Sequence, residues 1–162
     1  MFAAAVSLAA VVAILLQLRR RRECSWRWWA IPTFVLGWLL AVGAVLSPLD
    51  ERGEQGSLTA HVVQHVVLGD LAAPLLLIGL PPALGAAAGR WYTERTRTGR
   101  RDARALELAL SPAGALVLWA IATYVWLLPP VHRLAILDGP AHFLDHVSFL
   151  AFGLLVWLPA FD

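Results

Sequence analysis

Five histidines are the residues in this sequence whose type and spacing best suit chemistry: His61, His65, His132, His142 and His146. Four of them form two His-x-x-x-His pairs, His61/His65 and His142/His146. On a helix, positions i and i+4 lie on one face, about 6 Å apart along the axis. Two imidazoles so spaced can point into one cavity, and two such pairs on facing helices offer up to four nitrogen ligands. Imidazole suits copper, zinc, iron and nickel. Asp145, beside His146, and Asp50 are carboxylates of the kind that orient a ligating imidazole by accepting from its other ring nitrogen. His132, next to Arg133, is the weakest candidate, since a loop histidine is more often solvated than ligating. The plain alternative for the pairs is a set of polar residues at headgroup level that bind nothing.

Other chemistries fit the same residues. A haem held between two helices needs axial ligands on both, and His61 or His65 opposite His142 or His146 supplies them. A metal-activated water is a third reading, but the HExxH arrangement with its carboxylate base is absent. A purely structural subunit is the fourth. The single cysteine, Cys24, excludes an internal disulfide framework, and the only methionine is Met1, which excludes a Met-rich copper site.

The elements that must carry these histidines are apolar. Of 162 residues, 59% are hydrophobic, and the mean hydropathy is +0.68. Soluble domains sit near half apolar, so the composition points to a membrane protein. Five apolar runs stand out, over about 2–18, 29–47, 58–80, 108–128 and 141–159. A spanning helix needs about 20 apolar residues, and in lipid the backbone must satisfy its own hydrogen bonds. The expected fold class is therefore all-α: one polytopic membrane helix bundle over residues 1–162, with about five transmembrane helices. Proline punctuates them. Ser47-Pro48 closes the second helix, Pro81-Pro82 the third and Pro129-Pro130 the fourth. Ser111-Pro112 falls in the first turns of the fourth, Gly139-Pro140 opens the fifth, and Pro74 is expected to kink the third.

All basic residues are arginines, and they alternate from loop to loop. Loops 19–28 and 89–107, with their flanks, hold eleven; the intervening loops hold only Arg52 and Arg133. The positive-inside rule makes the Arg-rich loops cytoplasmic, with the N-terminus outside and the C-terminus in the cytoplasm. The first run is not read as a cleavable signal, because its basic cluster, Arg19 to Arg22, follows the apolar stretch. A nucleic-acid partner is excluded, since the basic residues lie between apolar runs and not over a folded polar surface. On this topology every histidine falls on the outer side, in an outer loop or the outer half of a helix. Asp50 ends the second helix at the same level. Asp70 is buried by position in the third helix and points away from the His61/His65 face. There it pairs with Glu107 or an arginine, stays protonated, or relays protons.

Several stretches resemble the CtaG-type cytochrome c oxidase assembly factor family. They are Ser47-Pro48-Leu49-Asp50; Leu58-Thr59-Ala60-His61-Val62-Val63-Gln64-His65; Ala73-Pro74-Leu75-Leu76-Leu77; Gly79-Leu80-Pro81; Leu128-Pro129-Pro130-Val131-His132; and His142-Phe143-Leu144-Asp145-His146-Val147-Ser148-Phe149. The resemblance covers roughly residues 35–160, and its combination of motifs is specific where one His-x-x-x-His would not be. It implies a multi-pass protein of the bacterial plasma membrane, without catalytic turnover, that helps deliver or insert copper into a haem–copper oxidase. The partners implied are cytochrome c oxidase subunits and a periplasmic or extracellular copper donor. The family's motif histidines fall on His61, His65, His142 and His146, with Asp50 in the turn before them; His132 is added as a further candidate. Family members commonly carry more helices after the last motif, so this chain reads as a short member or a fragment.

Overall fold

A computed structural model describes residues 28–80, 82–97 and 101–161. The expected helix at 2–18, the cluster Arg19 to Arg22, Arg27 and Cys24 lie outside the described residues. Among the described residues all regular structure is helical. The elements are α1 (Ala30–Leu46), α2 (Pro48–Glu54), α3 (Leu58–Val66), a π-helical turn (Val67–Ala72), α4 (Ala73–Ile78), α5 (Pro82–Thr96), α6 (Arg101–Leu110), α7 (Pro112–Leu127), α8 (Pro129–Leu137) and α9 (Gly139–Trp157), which ends in a 3-10 turn (Leu158–Ala160).

The packing is inverted relative to a soluble protein. Buried apolar residues are mostly alanines, among them Ala44, Ala60, Ala72, Ala73, Ala115 and Ala135, while His61, Gln64, His65, His142, Asp145 and His146 are buried with them. Large apolar side chains such as Leu116, Ile121, Tyr124 and Phe143 face outward. Small residues let helix backbones approach, and ionisable groups turn to the bundle interior, because lipid solvates the large apolar side chains and penalises the polar ones.

Two helices are long and apolar enough to cross a membrane: Leu58–Ile78, 21 residues, and Gly139–Ala160, 22 residues. A third span exists if Ala103–Leu110 and Pro112–Leu127 count as one, although they bend by 81° at their junction. Ala30–Leu46 is apolar but shorter. The described residues therefore hold two to three candidate spans, against the four expected over the same stretch.

The boundaries differ from expectation where proline and serine act. The helix expected at 108–128 begins at Pro112, because Ser111 accepts from the Gly114 N–H at 3.1 Å as an N-cap and Pro112 takes the first helical position. The loop expected at 89–107 is largely two helices, α5 and α6, rich in alanine, arginine and glutamate, which are good helix formers. Pro129 and Pro130 do more than end α7; they open α8 at its first turn, where a fixed φ and a missing N–H cost nothing. His132 is therefore helical.

Pro74 does not break its helix. The Ala73 N–H donates to Leu68 O, one residue further back than in an α-helix. Gly69 O then has no main-chain donor, because the next position is Pro74, which has no N–H. The indole Nε1–H of Trp157 donates to it at 3.1 Å. This ties the end of α9 to the π turn at their closest crossing. A Cβ on Gly153 would stand 2.7 Å from Gly69 Cα and 2.8 Å from Gly69 O, so the approach depends on the missing side chain of Gly153. α1 meets α4 in the same way, with a Cβ on Gly37 placed 2.9 Å from Leu76 N.

Gly153→Ala should therefore destabilise the bundle by about 1–3 kcal/mol, the usual cost of overpacking where backbone cannot yield. Thermal unfolding in detergent measures it. An unchanged Tm would mean that the helices do not cross at this point.

Candidate metal centre

Four elements bring their polar side chains to one place. On α3, His61, Gln64 and His65 share a face, as residues three and four apart must; Ser57 caps the helix start, accepting from the Ala60 N–H at 3.3 Å. On α9, His142, Asp145, His146 and Phe149 form the buried stripe; Asp138 caps it, accepting from the Ala141 N–H at 2.9 Å. The short α2 turns Asp50 toward both.

The imidazoles form one cluster. Ring centroids lie 4.3 Å apart for His61–His65, 4.4 Å for His142–His146, 5.6 Å for His61–His142 and His65–His146, and 5.7 Å for His61–His146. His132 joins from α8, with its ring 5.1 Å from that of His61. All five sequence-predicted histidines thus meet.

The carboxylates hold the rings. His65 Nε2–H donates to Asp145 Oδ2 at 3.1 Å, and His61 Nε2 stands 3.0 Å from the same oxygen, in ion-pair contact but off hydrogen-bond geometry. Asp145 neighbours His146 in the chain, but it serves the histidines of the facing helix. With its side chain on the buried stripe one turn from His142, its carboxylate reaches across to α3. His142 Nε2–H donates to Asp50 Oδ1 at 3.0 Å. With Nε2 as donor, the lone pair of a neutral ring lies on Nδ1.

Gln64 and Phe149 carry roles that sequence reasoning did not assign. Gln64 Nε2 donates to Asp50 Oδ1 at 2.8 Å and to Ala44 O at 3.0 Å. Ala44 O needs that donor, because the residue four further along is Pro48. Phe149 stacks on His65 at 3.7 Å and 15°, fixing the ring plane. The legible signal was spacing: Gln64 follows His61 by three residues, and Phe149 follows His146 by three. Trp126 Nε1–H donates to Ser148 Oγ at 2.7 Å, and Ser148 Oγ–H donates to Asp145 O at 2.7 Å, which links α7 to the same stripe.

Several buried polar atoms have no hydrogen-bond partner among the described residues: His61 Nδ1, His142 Nδ1, both ring nitrogens of His146, Gln64 Oε1 and Asp145 Oδ1. Such atoms are rare in folded proteins and call for an explanation, an ion included. Two three-residue sets have ligand atoms within 4.8 Å of one another, His61/His65/His146 and Asp50/His142/His146. His132, outside the candidate spans, is held below the ordinary imidazole value by burial and then by the nearby His61, against the pull of Asp145. Its ring stays neutral and able to ligate.

Asp70 departs from expectation. It is exposed, not buried, and makes no ion pair with Glu107 or an arginine among the described residues. Five residues past His65 it has rotated off the buried face. It lines a cavity of about 210 Å³ with His65, Trp119, Thr123 and Phe149.

A family model described as cytochrome c oxidase caa3 assembly factor matches residues 9–162. No curated protein and no solved structure matches the chain.

Gln64→Leu should cost about 1–3 kcal/mol, because it strips a donor from Asp50 and leaves Ala44 O with only the long Ser47 contact. Thermal unfolding reads the loss. No change would show that Gln64 does not hold this corner.

Proposed function

This chain belongs to the cytochrome c oxidase caa3 assembly factor family, and we propose that within that role it binds copper as cargo at its histidine cluster and passes it to the oxidase. One observation carries the reading: four imidazoles from two membrane-length helices converge in a buried cluster whose ring nitrogens are largely unpartnered. A buried unsatisfied polar group costs about 1–3 kcal/mol, and a cation among these nitrogens removes several such costs at once.

The donor set suits copper. Imidazole is a good ligand for copper, and binding needs neutral rings, so uptake releases protons wherever a ring nitrogen exchanges a proton for the ion. His61, His65, His142 and His146 are the ligand candidates, with His132 within reach. Asp145 orients His61 and His65, and Asp50, bonded to His142, is a further oxygen ligand candidate. A carrier must also release its cargo, and a cluster at the ends of helices, with Asp50 partly exposed, leaves a way out. The protein acts as a carrier and not as an enzyme. It sits in the bacterial plasma membrane as a multi-pass protein with its histidines toward the outer face. There a periplasmic or extracellular donor supplies copper, and cytochrome c oxidase subunits take it. The b-type haem alternative would place the macrocycle between the two histidine pairs, whose facing rings lie 5.6–5.7 Å apart, and it predicts a Soret band that the copper reading does not.

His61→Ala and His142→Ala, singly and together, should leave the protein in the membrane, lower the copper that it retains after loading, and lower the copper content of the oxidase. The purified wild-type protein should show no Soret band. Normal oxidase copper in the double variant would sink the reading. Asp145→Asn keeps the side-chain shape and removes the charge beside His61 and His65; copper affinity should fall about 10–100-fold, as for other residues that orient ligands. Equilibrium competition with a chelator measures it, and undiminished affinity would remove Asp145 from the site.

A further inference from the structure

The cluster is larger than one ion needs, and its ligand atoms divide into two sets. His61, His65 and His146 form an all-imidazole set; Asp50, His142 and His146 form a mixed oxygen and nitrogen set. His146 belongs to both. The two sets also differ in access. The side chains of His61 and His65 are 1% and 6% exposed, whereas that of Asp50 is 24% exposed. His146 is buried with both ring nitrogens unpartnered, so no hydrogen bond commits it to either set.

We propose that the centre is two overlapping three-ligand stations, Asp50/His142/His146 at its exposed edge and His61/His65/His146 inside, which hold one copper ion alternately and share His146. This rests on the copper-cargo reading above. A neutral imidazole has one lone pair for an ion, its other nitrogen carrying hydrogen. His146 therefore serves one station at a time, and the protein binds one ion, not two. Two ions would require His146 to lose that second hydrogen and bridge them as imidazolate.

The shared ligand also gives the ion a path. An ion held by Asp50, His142 and His146 moves inward by exchanging Asp50 and His142 for His61 and His65 while His146 stays bound, so it is never without a protein ligand. The exposed station carries the only carboxylate of the two sets, which attracts a cation arriving from solvent. The inner station is held by Asp145, which lies 3.0–3.1 Å from both of its other histidines, and by Phe149 stacked on His65. The exposed station is held by Gln64, which bonds Asp50. Each station thus has its own support, and only His146 is common.

The test is titration of the detergent-purified full chain with Cu(II), read by bound stoichiometry and by electron paramagnetic resonance, which distinguishes nitrogen from oxygen ligands. Wild type should saturate at one equivalent. Asp50→Asn should still bind one equivalent, with three imidazole nitrogens in the spectrum. His61→Ala/His65→Ala should also bind one at saturation, but less tightly, so that it retains less copper after loading as expected above for His61→Ala, with two imidazole nitrogens beside oxygen in the spectrum. His146→Ala should weaken binding in each of these backgrounds by at least about tenfold, since it removes a ligand from whichever station remains. Two equivalents in wild type would overturn the sharing of His146, and this needs no variant to fold. Loss of all binding in either station variant, with helicity and detergent elution unchanged, would mean one undivided site. No histidine-dependent copper in wild type would overturn the cargo reading, and this proposal with it.

Discussion

The backbones of the two long helices touch where Gly69 faces Gly153, and that contact sets the distance between the two histidine pairs. His65 lies one turn before Gly69 on one helix, and His146 two turns before Gly153 on the other. With a larger residue at Gly153 the helices would stand further apart, and imidazoles now 5.6 Å apart would separate. The π turn belongs to the same device. It frees Gly69 O beside Pro74, and Trp157 takes that carbonyl, so the crossing is fixed by a hydrogen bond as well as by the absence of side chains.

The surroundings of the crossing follow from the solvent expected for helices of this length and hydropathy. Lipid offers no hydrogen bonds, so groups that need them collect in the interior. The interior of this bundle is accordingly alanine, glycine and a polar cluster, with leucine, valine and aromatic residues outside. The same economy explains Gln64: one side chain supplies the donor that Pro48 withholds from α1 and fixes Asp50 against the site. Stability of the helix ends and orientation of the candidate ligands are therefore coupled through a single amide.

Much of this is legible in the sequence. Hydropathy located the helices Ala30–Leu46, Leu58–Ile78 and Gly139–Trp157 within a few residues, since apolar run length is a local property. The pairs His61/His65 and His142/His146 declared a shared face through helical periodicity alone. Reading failed where local signals compete. Ser111-Pro112 lies in an apolar run that continues from residue 108 yet starts a helix, and Pro129-Pro130 ends one helix and also opens the next. Residues 89–107 read as loop because charge masked good helix propensity. Asp70 reads as interior because it lies in an apolar run, and the rotation from His65 that its spacing already shows carries it to the exposed side.

The sequence by itself determined the helical membrane class, the two histidine faces and the residue types able to ligate, because each depends on composition or on spacing within one helix. Only the tertiary structure decided which carboxylate serves which imidazole. Asp145 lies next to His146 in the chain but binds His65, 80 residues away, and Asp50 binds His142, 92 residues away. It also decided that His132 reaches the cluster, that Gln64 and Phe149 belong to it, and that the ligands fall into two sets sharing His146. The physical reason is that such contacts depend on where two helices cross and how each is rotated about its axis. Those quantities come from the packing of Gly69 on Gly153 and the wide turn before Pro74, and no periodicity within one helix encodes them.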